Sequence, residues 1–90
     1  MKYPVIVEPD GGGWLVTFPD VPEALTGGDT REEVLKEAVG ALVTAFEFYF
    51  EDRRAVPLPS DIQAGAESVV VPDSVWRRVL QFNDSLALPE

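Results

Sequence analysis

Carboxylates are the residues of this chain with the capacity for catalysis, because the other usual agents are missing. There is no histidine and no cysteine among the 90 residues. That removes the commonest general base, the commonest metal ligand, nucleophilic thiols and any disulfide framework. Two-metal phosphoryl chemistry would need several acids converging on ions about 4 Å apart, usually from strand interiors and a neighbouring helix. The acids nearest to such a pattern are Glu8, Asp20, Glu33 and Glu37, and none stands inside the run Val5-Ile6-Val7 where a strand would aim it inward. They read as solvated charge. Gly11-Gly12-Gly13 could grip a phosphate, but no helix follows directly and no lysine or threonine completes a P-loop, so the triplet reads as a turn. Arg77-Arg78 could contact DNA. In a chain of 16 acidic and 7 basic residues, net charge −9, they read instead as a solvated helix face.

The same charge repels phosphate backbones and suits a basic partner better than a nucleic acid. A hydrophobic content of 46% with 10% aromatics is enough for a folded core and argues against disorder. Ninety residues make one modest domain, whose stability a partner would help. No cationic leader precedes an apolar core, and no apolar run reaches the ~18 residues of a membrane helix. The expectation is a cytoplasmic protein with no membrane contact.

The elements that must position these residues follow from local rules. Tyr3 to Glu8 and Trp14 to Phe18 read as antiparallel strands joined by the turn Asp10-Gly11-Gly12-Gly13. Pro19 and Pro22 forbid a continuous ladder and force a corner. Ala24 to Gly27 is a short third strand, and Thr30 with Glu33 forms a capping box that opens a helix from Arg31 to Asp52. Its apolar residues keep to one stripe as far as Ala41. After that Leu42, Val43, Ala45, Phe46, Phe48, Tyr49 and Phe50 surround the axis, which fits either a helix clamped between sheet and loop or an interface with another chain. Arg53-Arg54 complement the helix dipole. Val56-Pro57-Leu58-Pro59-Ser60 is extended, Asp61 to Ala66 is a loop, and Glu67 to Val71 is a fourth strand whose valine run fits either burial on both faces or pairing between sheet partners. Pro72-Asp73-Ser74 starts a second helix reaching about Asn83, whose Trp76, Val79, Leu80 and Phe82 have little of their own domain to pack on.

The opening Tyr3-Pro4-Val5-Ile6-Val7, the corner Phe18-Pro19-Asp20-Val21-Pro22, the run Gly28-Asp29-Thr30 and the helix end Thr44 to Asp52 occur together in an order and spacing that resembles the HicB family of antitoxins. These are the inhibitory halves of HicA/HicB toxin-antitoxin systems. The resemblance covers nearly the whole chain. It implies an α+β fold of order β-β-β-α-β, similar to part of a ribonuclease H fold, with a small mostly antiparallel sheet, one long helix on a face and a short C-terminal helix. Ribonuclease H folds bind two magnesium ions through clustered carboxylates, and this chain lacks that cluster in its first strand. Many family members continue into a DNA-binding domain. The expected division is residues 1–72 as the antitoxin domain and 73–90 as a helix and tail that begin a truncated or lost DNA-binding region.

The function this resemblance implies is neutralisation of a small basic HicA-like mRNA interferase by covering its active surface, with no enzymatic activity, metal or cofactor. The expected toxin-facing residues are Asp20, Val21, Pro22 and Glu23 at the corner, then Asp29, Glu8 and Asp10. The expected interface of a homo-oligomer, dimer or tetramer, is Phe46, Tyr49, Phe50, Val69, Val71, Trp76, Val79, Leu80 and Phe82. The alternatives are a transcriptional autoregulator, once a DNA-binding domain is present, and a stand-alone oligomeric scaffold that binds a ligand.

Overall fold

The computed structural model describes residues 1–87. Strand β1 (Lys2–Asp10) turns into β2 (Gly13–Thr17) through Gly11 and Gly12, whose φ values of 54° and 89° are the left-handed pair a type I′ hairpin requires. Asp10 lies opposite Gly13 and Ile6 opposite Thr17. After the proline corner, β3 (Leu25–Gly28) pairs antiparallel with β2 from Leu25 opposite Thr17 to Gly28 opposite Trp14. The two strands approach closely here: a Cβ on Gly13 would meet the Gly28 carbonyl oxygen at 2.7 Å.

Helix α1 (Arg31–Asp52) begins at Thr30, whose hydroxyl accepts the Glu33 N–H at 3.1 Å. It ends at Arg53, a left-handed residue with φ 55°, where the Arg53 N–H bonds Phe50 O and the Arg54 N–H bonds Tyr49 O. This is a Schellman closure built on arginine where glycine is usual. β4 (Glu67–Val70) then pairs with the free side of β1, Tyr3 opposite Val69, and α2 (Asp73–Ala87) follows. The sheet order is β3-β2-β1-β4, antiparallel throughout, and the element sequence is the expected α+β arrangement. Against expectation β1 is longer, from Lys2 to Asp10, β2 and β3 are each shifted by one residue at both ends, β4 stops one residue short at Val70, and α2 runs beyond Asn83 to Ala87.

Strand alternation decides which residues enter the core. Tyr3, Val5, Val16, Phe18 and Val69 point to one face, where α1 covers them with Val34, Ala38, Leu42, Ala45 and Phe46. That spacing keeps a single buried stripe down the whole helix. The expectation that its aromatic end is apolar all round is therefore corrected: Phe46 and Tyr49 point inward, Phe48 is exposed, and Phe50 is half-buried. The valine run also alternates, Val69 and Val71 being buried while Val70 is 59% exposed, because β4 is an edge strand with one covered face.

The second helix does find its own domain. Val79 is fully buried, Trp76 meets the Tyr3 ring edge-on at 6.2 Å, and Phe82 meets Phe50 at 4.7 Å. Arg78 bonds both oxygens of Glu47 on α1 and lies 4.4 Å over the Phe50 ring. So α1 is held between the sheet and α2, where the first of the two readings of its aromatics had placed the following loop.

Candidate interaction surface

The proline corner is two consecutive turns, closed by Val21 N–H to Phe18 O at 3.1 Å and Ala24 N–H to Val21 O at 2.9 Å. Pro19 and Pro22 stand where their missing donors cost nothing, and the turns drive Val21 into the core while lifting Pro22 and Glu23 to the surface. Two carboxylates of this corner are engaged within the chain. Asp20 accepts the Ser60 N–H at 2.8 Å and the Ser60 hydroxyl at 2.6 Å, fixing the extended segment after α1. Glu23 accepts the Tyr49 hydroxyl at 2.5 Å and an Arg54 N–H at 3.2 Å, and Arg54 stacks 4.2 Å over the Tyr49 ring. The Tyr49 bond chiefly, then a backbone bond and Arg54, holds the Glu23 carboxyl below its ordinary value. Burial chiefly, then Glu23, pushes the Tyr49 hydroxyl up.

The seven expected toxin-facing residues do not form one site. Asp20, Pro22 and Glu23 lie at the end of the sheet where α1 finishes. Glu8, Asp10 and Asp29 lie at the hairpin end, where Thr30 starts α1, and all three are exposed. The helix between them, 22 residues at ~1.5 Å each, is roughly 33 Å long. Val21, fully buried, is removed from the surface group. Of the nine expected interface residues, Phe46, Tyr49, Val69, Val71 and Val79 belong to the core of the single chain, and Phe50, Trp76 and Phe82 are half-buried on its own side chains. Leu80 alone among them is exposed. Among the described residues no three acidic, histidine or cysteine side chains come together as a metal site. None of the described helices is long and apolar enough to cross a membrane.

Beside the corner is an open groove of about 410 Å³ lined by Met1, Lys2, Leu58, Ser60, Ile62 and Trp76, among others. The Asp20–Ser60 clasp shapes its rim. Residues 2–79 match the family model described as HicB-like antitoxin of bacterial toxin-antitoxin system. The chain belongs to this family. Over 86 residues the HicB-like chain is 59% identical to Antitoxin HicB 2 of Photorhabdus laumondii subsp. laumondii, an alignment covering 96% of this chain and 60% of that protein. It is 48% identical over 84 residues to Antitoxin HicB of Escherichia coli K12, covering 92% of this chain and 61% of that one. It therefore spans about three-fifths of the length of these relatives. The crystal structure of the N-terminal domain of Burkholderia pseudomallei antitoxin HicB superposes with a TM-score of 0.61 at 28% identity, over 80% of this chain and 96% of that one.

Several groups that shape the HicB-like surface carry no mark in the sequence. Ser60 and Asn83 are polar residues in unremarkable contexts, yet the first anchors the corner and the second anchors Val56. Arg54 looked like a dipole partner and is instead the third member of the Glu23–Tyr49 cluster.

Proposed function

We propose that this chain neutralises a small basic HicA-like mRNA interferase by steric and electrostatic cover of its active surface, as a homo-oligomer in the cytoplasm and without chemistry of its own. The observation that carries the reading is the family match across residues 2–79. The charge of −9 supports it, because complementary charge speeds encounter with a basic protein and selects against wrong partners. The corner end is the proposed toxin face: it offers Pro22 and Glu23 with the groove alongside. Glu8, Asp10 and Asp29 are too far away to join the same small contact.

The test is titration of the purified chain against RNA cleavage by the product of the adjacent gene. Inhibition should be stoichiometric and independent of metal or nucleotide. Reversing Asp20 or Glu23 would break the Ser60 and Tyr49 bonds as well as the surface charge, so Pro22→Arg is the cleaner probe. It should weaken the complex about tenfold or more while Asp10→Arg leaves it nearly unchanged. Failure to bind that gene product rejects the antitoxin reading, whereas equal effects reject only the corner.

Autoregulation of transcription is the second reading. The greater length of the HicB relatives favours it, since it leaves room for a DNA-binding region beyond residue 72. Residues 73–87 would then act as a packed connection to that region rather than as its first reading element.

A further inference from the structure

Glu23 is held differently on its two oxygens. The Tyr49 hydroxyl donates to Oε1 at 2.5 Å, and the ring that carries this hydroxyl is buried in the core. A packed aromatic with its polar tip at the surface fixes the carboxylate at little entropic cost. Oε2 receives Arg54 Nη1 at 3.2 Å, a loose contact beside the ~2.8 Å usual for a charge-assisted bond. The Glu23 side chain keeps 35% of its surface in solvent, next to the exposed Pro22.

Arg54 divides itself between partners. Its Nη2 pairs with Asp52 Oδ2 at 3.3 Å while the guanidinium lies 4.2 Å over the Tyr49 ring. Arg78 shows the alternative, placing both terminal nitrogens on the one carboxylate of Glu47, the nearer at 2.6 Å. That fork is the strong arrangement for arginine, and Arg54 does not adopt it. Exposed single-point pairs hold weakly. Arg54 can therefore release Glu23 and keep both Asp52 and the ring, while Tyr49 keeps the carboxylate where it is. Asp20, the other acid of the corner, is satisfied by the uncharged donors of Ser60, so Glu23 is the corner acid that carries a cation of its own chain.

We infer that Arg54 is a resident counter-ion, displaced from Glu23 Oε2 by a cationic side chain of the toxin when the two proteins meet. This rests on the corner as the toxin face and adds the residue that sets its selectivity. A partner with no cation at that point leaves Arg54 in place and gains nothing from a charge already balanced. A partner with one replaces a loose contact by its own, and Arg54 swings onto Asp52. Discrimination then comes from the competing internal cation as much as from the acid it covers.

The test is the dissociation constant of the purified chain with the product of the adjacent gene, measured by biolayer interferometry. Lys36→Gln is the charge-matched control: Lys36 is exposed and stands 13 residues before Tyr49 on α1, roughly 20 Å away. Arg54→Gln should tighten the complex about tenfold, and Lys36→Gln about twofold at most through the general field. In a Glu23→Gln chain, which keeps an acceptor for the Tyr49 hydroxyl but has no charge to uncover, the two substitutions should have the same small effect. Asp52→Asn removes the second anchor of Arg54 and should weaken binding about threefold more than Glu51→Gln does. Circular dichroism checks that each variant is folded. An Arg54→Gln effect equal to that of Lys36→Gln overturns the inference, as does a gain that persists without the Glu23 charge. Weaker binding by Arg54→Gln would show that the arginine itself grips the toxin, and overturns it too. A Pro22→Arg chain that binds like wild type rejects the corner, and this inference with it, while a wild type that does not bind rejects the antitoxin reading.

Discussion

Asn83 holds the backbone of Val56 from both sides. The Val56 N–H donates to Asn83 Oδ1 at 2.8 Å, and Asn83 Nδ2 donates to the Val56 carbonyl at 3.0 Å. With Val56 buried, both backbone groups depend on this one amide. Asn83→Ala should therefore cost about 1–3 kcal/mol of unfolding free energy, measured by urea titration. Asn83→Asp keeps the acceptor and loses the donor, so it should fall between the two.

The Glu23 cluster makes stability depend on acid. Its carboxyl is held below the ordinary value of 4.5, with Tyr49 as the main cause. The resulting stabilisation is present above the pKa of the unfolded chain and is lost as pH falls through the lower folded value. Glu23→Gln should be less stable than wild type near neutrality, and the difference should shrink below about pH 4. A gap that stays constant down to acid pH would show that the ionised form contributes nothing.

At the alkaline limb the sign is opposite. Burial first, then the charge of Asp20, pushes Tyr3 above its ordinary value of 10.0, and Tyr49 is also raised. Raised groups stabilise fully below the unfolded value and progressively less as pH climbs through the folded one. Denaturant midpoints should hold steady to about pH 9 and then fall, and Tyr3→Phe should flatten that fall. The same variant loses the Tyr3 bond to the Pro57 carbonyl, 2.7 Å long, so it should be less stable at neutral pH.

Two substitutions should stabilise the chain. Gly40 sits in α1 on the exposed side with nothing within 4 Å of an added Cβ, so Gly40→Ala should gain about 0.5–1 kcal/mol. Arg53 occupies the left-handed position that closes α1, and Arg53→Gly should gain up to about 1 kcal/mol. Thermal melts would register both. Gly13→Ala should do the reverse, because its new Cβ would collide with the Gly28 carbonyl oxygen.

Local chemistry was legible in the residues, and contacts between distant segments were not. The Thr30–Glu33 cap, the Gly11-Gly12 turn and the full extent of α1 follow from neighbours within four residues. The Asp20–Ser60, Glu23–Tyr49 and Val56–Asn83 bonds join residues 40, 26 and 27 apart, and neither partner in any pair signals the other. The same limit explains the misplaced interface. Phe50 and Phe82 look unpartnered until α2 is known to fold back over α1, while Phe46 and Tyr49 are taken up by Tyr3 of the sheet and Glu23 of the corner. The corner, read as a binding patch because it is acidic, is acidic at Asp20 and Glu23 partly to hold its own chain.

The placement of β4 has a consequence for how the molecule assembles. β1, β2, β3 and α1 meet in chain order through short connections, and these contacts can form early with little loop-closure entropy. β4 must find β1 from the other side of α1, across most of the chain, and α2 can seat only after it. The strand and its helix are therefore expected to be the last unit to fold and the first to open. Amide hydrogen exchange should show β4 and α2 releasing together, ahead of the β1–β2 hairpin.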